Sequence, residues 1–495
     1  MNLSLEEYLG LSEKYDVIPV YEELVADFET PVSAFLKLCK NDHAFLLESA
    51  ETVGVAGRFS FIGCSLLSSI ICKDGKTIID GLNRSGQMTV ANPLDLIRSE
   101  IFARKVATVD GLDHFFGGAV GYLAYDCVKY FEDIDLDSCD ELKLPDAFFM
   151  VTRAVLVFDH FTRKIKIVVA EPIEDNPRDS YLSSVEEIGR IRSILTGAEF
   201  YSNKPISLQE TPFEFGSNMS RTEFEDGVKN AIEYIRSGDI FQVVLSQRFQ
   251  VKTDVDPFNV YRVLRVINPS PYMYYLSCGN FKIAGSSPEP LVRVAGNMVV
   301  TKPIAGTRRR GKDDAEDQLL EKELLADEKE CAEHVMLVDL GRNDLGRVCK
   351  YGSVKVNEFM QIQRYSNVMH MVSGVGGELS DAKDGVDALV SAFPAGTVTG
   401  APKIRAMQII DEIESVRRGP YAGIVGYFGY NKVLDSCITI RTAVFSDGMA
   451  YVQAGAGIVA DSIPKNEYIE TQNKAKALIR AIKLAEAHAG DTGNR

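Results

Sequence analysis

Between Val452 and Lys474 the chain reads VQAGAGIVADSIPKNEYIETQNK. Gly455 and Gly457 flank Ala456 at the end of a strand-like run, where bare backbone N–H groups could approach a small anion closely. Asp461 or Ser462 is placed to cap a helix whose first turn accepts Pro464. On that helix Glu467 and Glu470 are three apart and share a face, with Asn473 and Lys474 one turn later. A second pair with the same spacing, Glu330 and Glu333, lies in KECAEHVMLVDLGRND. Magnesium is usually held by one or two protein carboxylates, with water and substrate oxygens completing its octahedron. Two facing helices could each supply one ligand and a second carboxylate to orient water. Wet faces of acidic helices show the same spacing, so the spacing alone leaves both readings open.

Other residues have a comparable two-sided reading. FPAGTVTGAPK, Phe393 to Lys403, lacks the G-x4-G-K-[ST] spacing of a phosphate loop. It reads either as free amides at a helix N-terminus that suit a small anion, or as a tight structural turn. Arg441, in the strand-like CITIRTAVF, could enter a pocket and clamp a carboxylate, or face solvent. His370 lies between two methionines and reads as a packing residue or a proton carrier. Glu289, in the proline-braced SSPEPL, could be desolvated enough to act as a general acid. Thr307 ends a glycine turn in PIAGTRRRG, and the three arginines after it read as solvated.

The elements that must position these residues are mixed. LEEYLGLSEKY and PVSAFLKLCK read as helices within residues 1–40, followed by strands at Ala44–Leu47, Phe59–Cys64, Leu66–Cys72, Phe148–Phe158 and Lys164–Val169. The polar run from Thr196 to Asn218 reads as a linker. It divides the chain into a sheet-forming region, 1–195, a linker, 196–218, and a second region, 219–488. In the latter, Ser220 and Glu223 form a capping box, and Phe224, Val228, Ile232 and Ile235 make an apolar stripe ended by Gly238. Gln242 follows in a strand, Asp313–Leu340 reads as one long helix, and Ala401–Ser415 as another. GAVGYLAYD and GIVGYFGYN form a weak internal echo that marks related strands or chance similarity. Strands and helices without regular βαβ alternation indicate an α+β fold.

The 495 residues carry 54 basic and 70 acidic side chains, a net charge of −16, with mean hydropathy −0.05. That balance speaks against a nucleic-acid or anionic-membrane surface. MNLSLEEYLG has neither the cationic nor the apolar region of a signal peptide, and no apolar run is long enough to span a bilayer. Nine cysteines without a CxxC suggest reduced thiols and a cytoplasmic protein.

PIAGTRRRG, KECAEHVMLVDLGRNDLGRV, RYSNVMH, FPAGTVTGAPKIRAM, GPYAGIVGY, CITIRTAVF, QAGAGIVADS and ETQNKA occur in this order. Over about residues 20–478 the chain thereby resembles the chorismate-utilising enzymes, and among them the large components of the anthranilate synthases. The resemblance implies two orthogonally packed antiparallel sheets surrounded by helices. It implies Mg²⁺ held by Glu333 and Glu470, with Glu330 and Glu467 beside them. Gly306, Thr307, Tyr421, Arg441, Gly455, Ala456, Gly457 and Lys474 would hold chorismate. Glu289 would protonate the departing 4-hydroxyl, and His370 would move the proton in pyruvate elimination. Ser49, Pro271, Tyr272 and Met273 would line a tryptophan feedback pocket, which places regulation in the first region together with NPSPYM.

Two positions separate relatives within that group. Aminodeoxychorismate synthases carry a nucleophilic lysine where Ala305 stands, and isochorismate and salicylate synthases a lysine base where Gln242 stands. Glutamine cannot activate water, which favours ammonia as the nucleophile. No glutaminase-type triad segment follows ETQNKAKALIRAI, so the resemblance implies a separate glutamine amidotransferase subunit. The implied activity is conversion of chorismate and ammonia to anthranilate and pyruvate. Aminodeoxychorismate synthesis and a catalytically silent amino-acid sensor are the alternatives.

Overall fold

Two long strands, Phe59–Lys73 and Ala147–Asp159, run antiparallel and carry the architecture. Their register slips between Ile62 and Ser68, and such irregularities bend a strand pair. The two halves of the pair therefore continue into different sheets. In the computed structural model, which describes residues 1–50, 56–81, 86–90, 92–173, 176–197, 215–365 and 368–490, every named ladder is antiparallel.

The first sheet runs from Phe59 and its neighbours through His43–Glu48, Tyr272–Cys278, Phe281–Ser287, Thr442–Ser446 and Met449–Ile458 to Gln242–Lys252. The second runs from Ala147 and its neighbours through Gly118–Leu123, Ile424–Gly429, Leu434–Ile438, Pro290–Ala295 and Met298–Thr301 to Val368–Glu378. Phe45, Phe61, Leu276 and Ile283 of the first sheet share one buried cluster with Val120, Phe149, Val292 and Val425 of the second. The other face of the first sheet buries Leu46, Tyr275 and Phe445 under the helices Pro31–Leu38, Pro177–Thr196, Pro257–Ile267 and Pro464–Gly490. A smaller cluster packs Arg221–Arg236 and Lys403–Ile413 on Val243, Leu245 and Ile458. Among the described residues no helix is long and apolar enough to cross a membrane.

The α+β class and the Ser220–Glu223 capping box appear as the sequence indicates. Several boundaries do not. Val20–Val25 is a strand inside the stretch read as helical. Phe59–Cys64 and Leu66–Cys72 are one strand. The helix at Asp313–Leu340 breaks at Asp327, which ends Asp314–Ala326 and caps Glu328–Gly346 by accepting the Lys329 and Glu330 N–H groups. The two sequence regions share sheets: His43–Glu48 pairs with Tyr272–Cys278, and Gly118–Leu123 with Ile424–Gly429. The latter two strands are the echoing segments, with Gly121 opposite Gly426. Of the linker, residues 198–214 lie outside the described residues.

Candidate active site

The chain crosses from the first sheet to the second at Pro288–Glu289 and back at Thr439–Arg441. Crossovers have no ladder to satisfy, so their side chains are free to turn into the gap between the sheets. Glu289 accepts a 2.9 Å hydrogen bond from Thr397 Oγ1. Burial raises its pKa above the ordinary carboxyl range, and the positive charges of Lys474 and Arg441 offset this only partly. Arg441 has φ of 51°, in the left-handed region. It stands in a break between two strands rather than on the face of one, which corrects the reading of CITIRTAVF as a single strand. Its guanidinium donates to the Lys474 carbonyl at 3.1 Å.

Lys474 Nζ donates to the Gly455 carbonyl at 3.0 Å and pairs with Glu470 at 2.7 Å. A Cβ on Gly455 would come within 2.7 Å of the Tyr421 hydroxyl, so the glycine makes room for the phenol. Arg441, Asn466, Glu470, Asn473 and Lys474 line a cavity of about 450 Å³. Gly455–Gly457 is not a turn. It lies inside Met449–Ile458, opposite Val244–Ser246, but the strand on its other side leaves it at Val452. The Gly455 carbonyl faces Lys474 on that open edge. N–H and C=O of one strand residue point the same way, and the pattern repeats every second residue. Gly455 and Gly457 therefore direct N–H donors at the cavity side without forming the expected loop.

His370, in Val368–Glu378, approaches Thr307 Oγ1 at 3.0 Å and the Gly306 carbonyl at 3.2 Å, both through Nδ1. A carbonyl only accepts, so Nδ1 carries the proton and Nε2 presents a lone pair. Burial lowers the imidazole pKa, Arg441 lowers it further, and the Gly306 contact acts in the opposite sense. Gly306 has φ of 71° at a register shift, and a Cβ there would approach Glu330 at 3.2 Å.

Gln242 Nε2 donates to Glu333 at 3.0 Å and lies 2.8 Å from where a Gly457 Cβ would be. Lys329 pairs with Asp461 at 3.0 Å, tying the start of Glu328–Gly346 to the approach of the C-terminal helix. Burial raises the Glu467 pKa, and neighbouring Glu470 raises it too, while Ser462, Lys329 and Lys474 oppose this. The E-x-x-E helices are thus linked indirectly, through Asp461 before the last helix and through Gln242 on the strand beside Gly457. Among the described residues no three His, Cys, Asp or Glu side chains converge as a ready-made metal cage.

Three sequence readings change here. Neither Asp461 nor Ser462 caps the last helix: it opens at Pro464, and the Ile463 carbonyl accepts the Glu467 N–H. Arg308 is not merely solvated but pairs with Asp327 and Glu330, Arg309 with Glu316, and Arg310 with Asp317. FPAGTVTGAPK is drawn in part into a strand ladder. Gly400–Ala401 pairs with Gln242–Val243, the Thr399 N–H goes to the Gly396 carbonyl, and the loop's contribution is Thr397. Thr397 had no local signal, because its partner is 108 residues away.

Ser49, Pro271, Tyr272 and Met273 line a different cavity, of about 420 Å³, with Leu47, Phe61, Asp435 and Cys437. It opens where His43–Glu48 and Tyr272–Cys278 end side by side. Tyr272 donates to Asp435 at 2.9 Å. The sequence points to the two segments but not to Asp435 or Cys437, which arrive from the second sheet.

Residues 43–480 match the family model of the chorismate binding enzymes. Anthranilate synthase component 1 of Acetivibrio thermocellus is 50% identical over 97% of this chain and 98% of its own length. The same component of Aquifex aeolicus is 49% identical over 98% and 99%. The crystal structure of anthranilate synthase component I from Streptococcus pneumoniae superposes with a TM-score of 0.76 at 38% identity, covering 92% of this chain and 99% of that one.

Proposed function

The chain belongs to the chorismate binding enzymes, in the branch of anthranilate synthase component 1, and from that premise we infer that it joins ammonia to chorismate and releases pyruvate to leave anthranilate. The observation that carries this reading is the meeting of Glu289, Arg441, Lys474 and Tyr421 at the open edge beside Gly455. A small dianion on a chain of net charge −16 needs such a local positive site. Arg441, Lys474 and the Gly455 and Gly457 amides would hold chorismate's carboxylates, with Ala456, Gly306 and Thr307 completing the walls.

Glu289, its proton held by burial, would protonate the 4-hydroxyl as it leaves as water while ammonia bonds to C2. The product is 2-amino-2-deoxyisochorismate. His370 Nε2 would then take the C2 proton as the C3–O bond breaks and pyruvate leaves, which aromatises the ring. Gln242 has no basic nitrogen. It would orient Glu333 rather than activate water, and Ala305 leaves no covalent route at that turn.

The donor set also fits Mg²⁺. Glu333 and Glu470 are hard oxygen ligands now satisfied by Gln242 and Lys474, and two protein carboxylates suffice when substrate and water supply the rest. Glu330 and Glu467 would orient bound water. The ion would neutralise the substrate carboxylate and spread charge as the hydroxyl departs. The ammonia would come from a separate glutamine amidotransferase subunit, and tryptophan would inhibit by filling the cavity at Ser49 and Pro271–Met273. An apolar wall with a tyrosine and a methionine suits an indole, and Ser49 would bond the polar end. All nine cysteines are free, in keeping with work in the reducing cytoplasm.

Purified protein with chorismate, Mg²⁺ and ammonium tests the reading. Fluorescent anthranilate is the expected product. Formation of 4-amino-4-deoxychorismate, or tryptophan binding without turnover, would overturn it.

A further inference from the structure

Ser286 and Ser287 are consecutive, fully buried, and used by neither site directly. Each nevertheless touches both. The Ser286 hydroxyl is hydrogen-bonded to the Asn268 carbonyl and accepts from the Asn268 amide at 3.3 Å, which anchors the first residue of NPSPYM. Its backbone N–H donates to the Arg441 carbonyl at 3.0 Å. Ser287 is the ladder partner of Tyr272 in the cavity wall, and its hydroxyl contacts the thiol of Cys437, another lining residue. That hydroxyl donates to the Ile438 carbonyl at 2.7 Å and accepts from the Glu289 N–H at 3.4 Å. The Ile438 N–H donates to the Glu289 carbonyl at 3.0 Å, which closes the loop. The serines therefore sit at the end of one strand, just before the chain crosses between the sheets.

We propose that the Ser286–Ser287 pair couples the two cavities, so that filling the one beside NPSPYM moves Arg441 and Glu289 through these shared hydrogen bonds. The proposal rests on the functional reading above, in which Glu289 and Arg441 serve chorismate and the Ser49 cavity takes tryptophan. Coupling between sites is a free energy that requires an element both sites bias. Two consecutive buried residues that bond toward each cavity are such an element: Ser286 through its hydroxyl to Asn268 and its N–H to Arg441, Ser287 through its hydroxyl to Cys437 and Glu289. An interior of close-packed side chains leaves them little room to absorb a shift locally. The long 3.4 Å contact at Glu289 is the bond with the most slack to lose or gain.

The test compares Ser286→Ala, Ser287→Ala and Ser287→Thr with wild type. Folding is checked by thermal melting, tryptophan binding by equilibrium dialysis, and kcat, KM for chorismate and half-inhibition by ammonium-dependent turnover. In the alanine variants tryptophan should still bind within about threefold of wild type, while the concentration for half-inhibition rises about tenfold, within the usual range of coupling. Ser287→Ala should also lower kcat more than it raises KM, because Glu289 loses its support. Ser287→Thr, which keeps the hydroxyl, should restore part of the coupling. Inhibition that tracks binding in both alanine variants as it does in wild type overturns the proposal and leaves the functional reading intact. A wild-type protein that binds no tryptophan refutes the inhibitor reading, and the coupling with it.

Discussion

Around Gly455 the chain gathers Gln242, Glu289, Glu333, His370, Arg441 and Lys474 from as many separate elements. Around Ser49 the paired ends of His43–Glu48 and Tyr272–Cys278 face Asp435 and Cys437 of the second sheet. The first region is charged and held by side-chain hydrogen bonds that reach across as many as 108 residues of sequence. The second has an apolar wall inside a charged rim, and its shape comes from what the two sheets leave unfilled. The difference is one of physical origin. Catalysis needs charges at fixed separations, so Glu289 and Arg441 come from strand crossovers, free of the ladder, and Glu333, Glu470 and Lys474 from helices. A pocket for an apolar ring needs only surface without a neighbour.

This contrast makes opposite predictions for substitutions in the two regions. The largest effect is expected at Glu470. Glu470→Gln should remove Mg²⁺-dependent turnover, a loss of about 4 kcal/mol of transition-state stabilisation or roughly 10³-fold, with the melting temperature unchanged. Turnover near the wild-type value would dissolve the metal assignment. Next comes Glu289→Gln, which keeps the Thr397 contact but cannot donate the proton. A fall in kcat of about 10²–10⁴-fold at little change in KM is expected, and an equal loss in both would reassign Glu289 to binding.

The pH profile separates the two groups that move protons. His370 must be neutral, and its pKa lies below 6.5, so the rate should rise with pH on a limb below that value. Glu289 must be protonated, and its pKa lies above 4.5, so the rate should fall as pH rises through that higher value. His370→Ala should abolish the rising limb and leave the falling one. A variant that retains both limbs would show that the imidazole is a packing residue after all.

How much of this contrast could be read beforehand depends on whether the signal is local. The capping box at Ser220 and the spacing of Glu467 and Glu470 are fixed within one turn of helix, and they reappear in the structure. Gly455 and Gly457 lie where the Tyr421 hydroxyl and the Gln242 amide come close to the backbone, in a strand edge rather than a turn. CITIRTAVF alternates and so reads as a strand through Arg441, and nothing local reveals that the chain leaves one sheet there for another. Asp327 breaks a helix that charge and apolar pattern would continue, since it serves both helices as a cap. Thr397, Asp435, Cys437 and the serine pair depend on contacts across the fold, which neither spacing nor propensity encodes.

In the second region a bulky substitution should leave chemistry alone. Ser49→Phe should fill the cavity, keep kcat within about twofold of wild type, and abolish inhibition by tryptophan, because filling a pocket alters binding without touching the transition state. Inhibition that survives unchanged would place the regulatory pocket elsewhere and end the comparison.

The smallest effect tests whether that cavity's charged rim matters to the fold. Arg58 and Asp159 both border the cavity, and their side chains meet at 2.6 Å. The Asp159 carboxylate is poorly solvated, but hydrogen bonds from Arg58 and Thr162 outweigh this and hold its pKa at about 2, below the ordinary 3.8. A depressed pKa means that the native state binds the proton less readily than the unfolded chain does. The stabilisation is therefore present above 3.8 and disappears as pH falls toward 2. Because Arg58 is substantially exposed, solvent screening leaves about 1 kcal/mol rather than the full linkage value. Asp159→Asn keeps an acceptor for the Phe161 and Thr162 N–H groups while removing the charge. Its unfolding free energy should lie about 1 kcal/mol below wild type at pH 7, with the two curves converging between pH 3.8 and 2. Denaturant titrations at stepped pH would show this, and parallel curves down to pH 2 would mean that the rim is held by shape and not by charge.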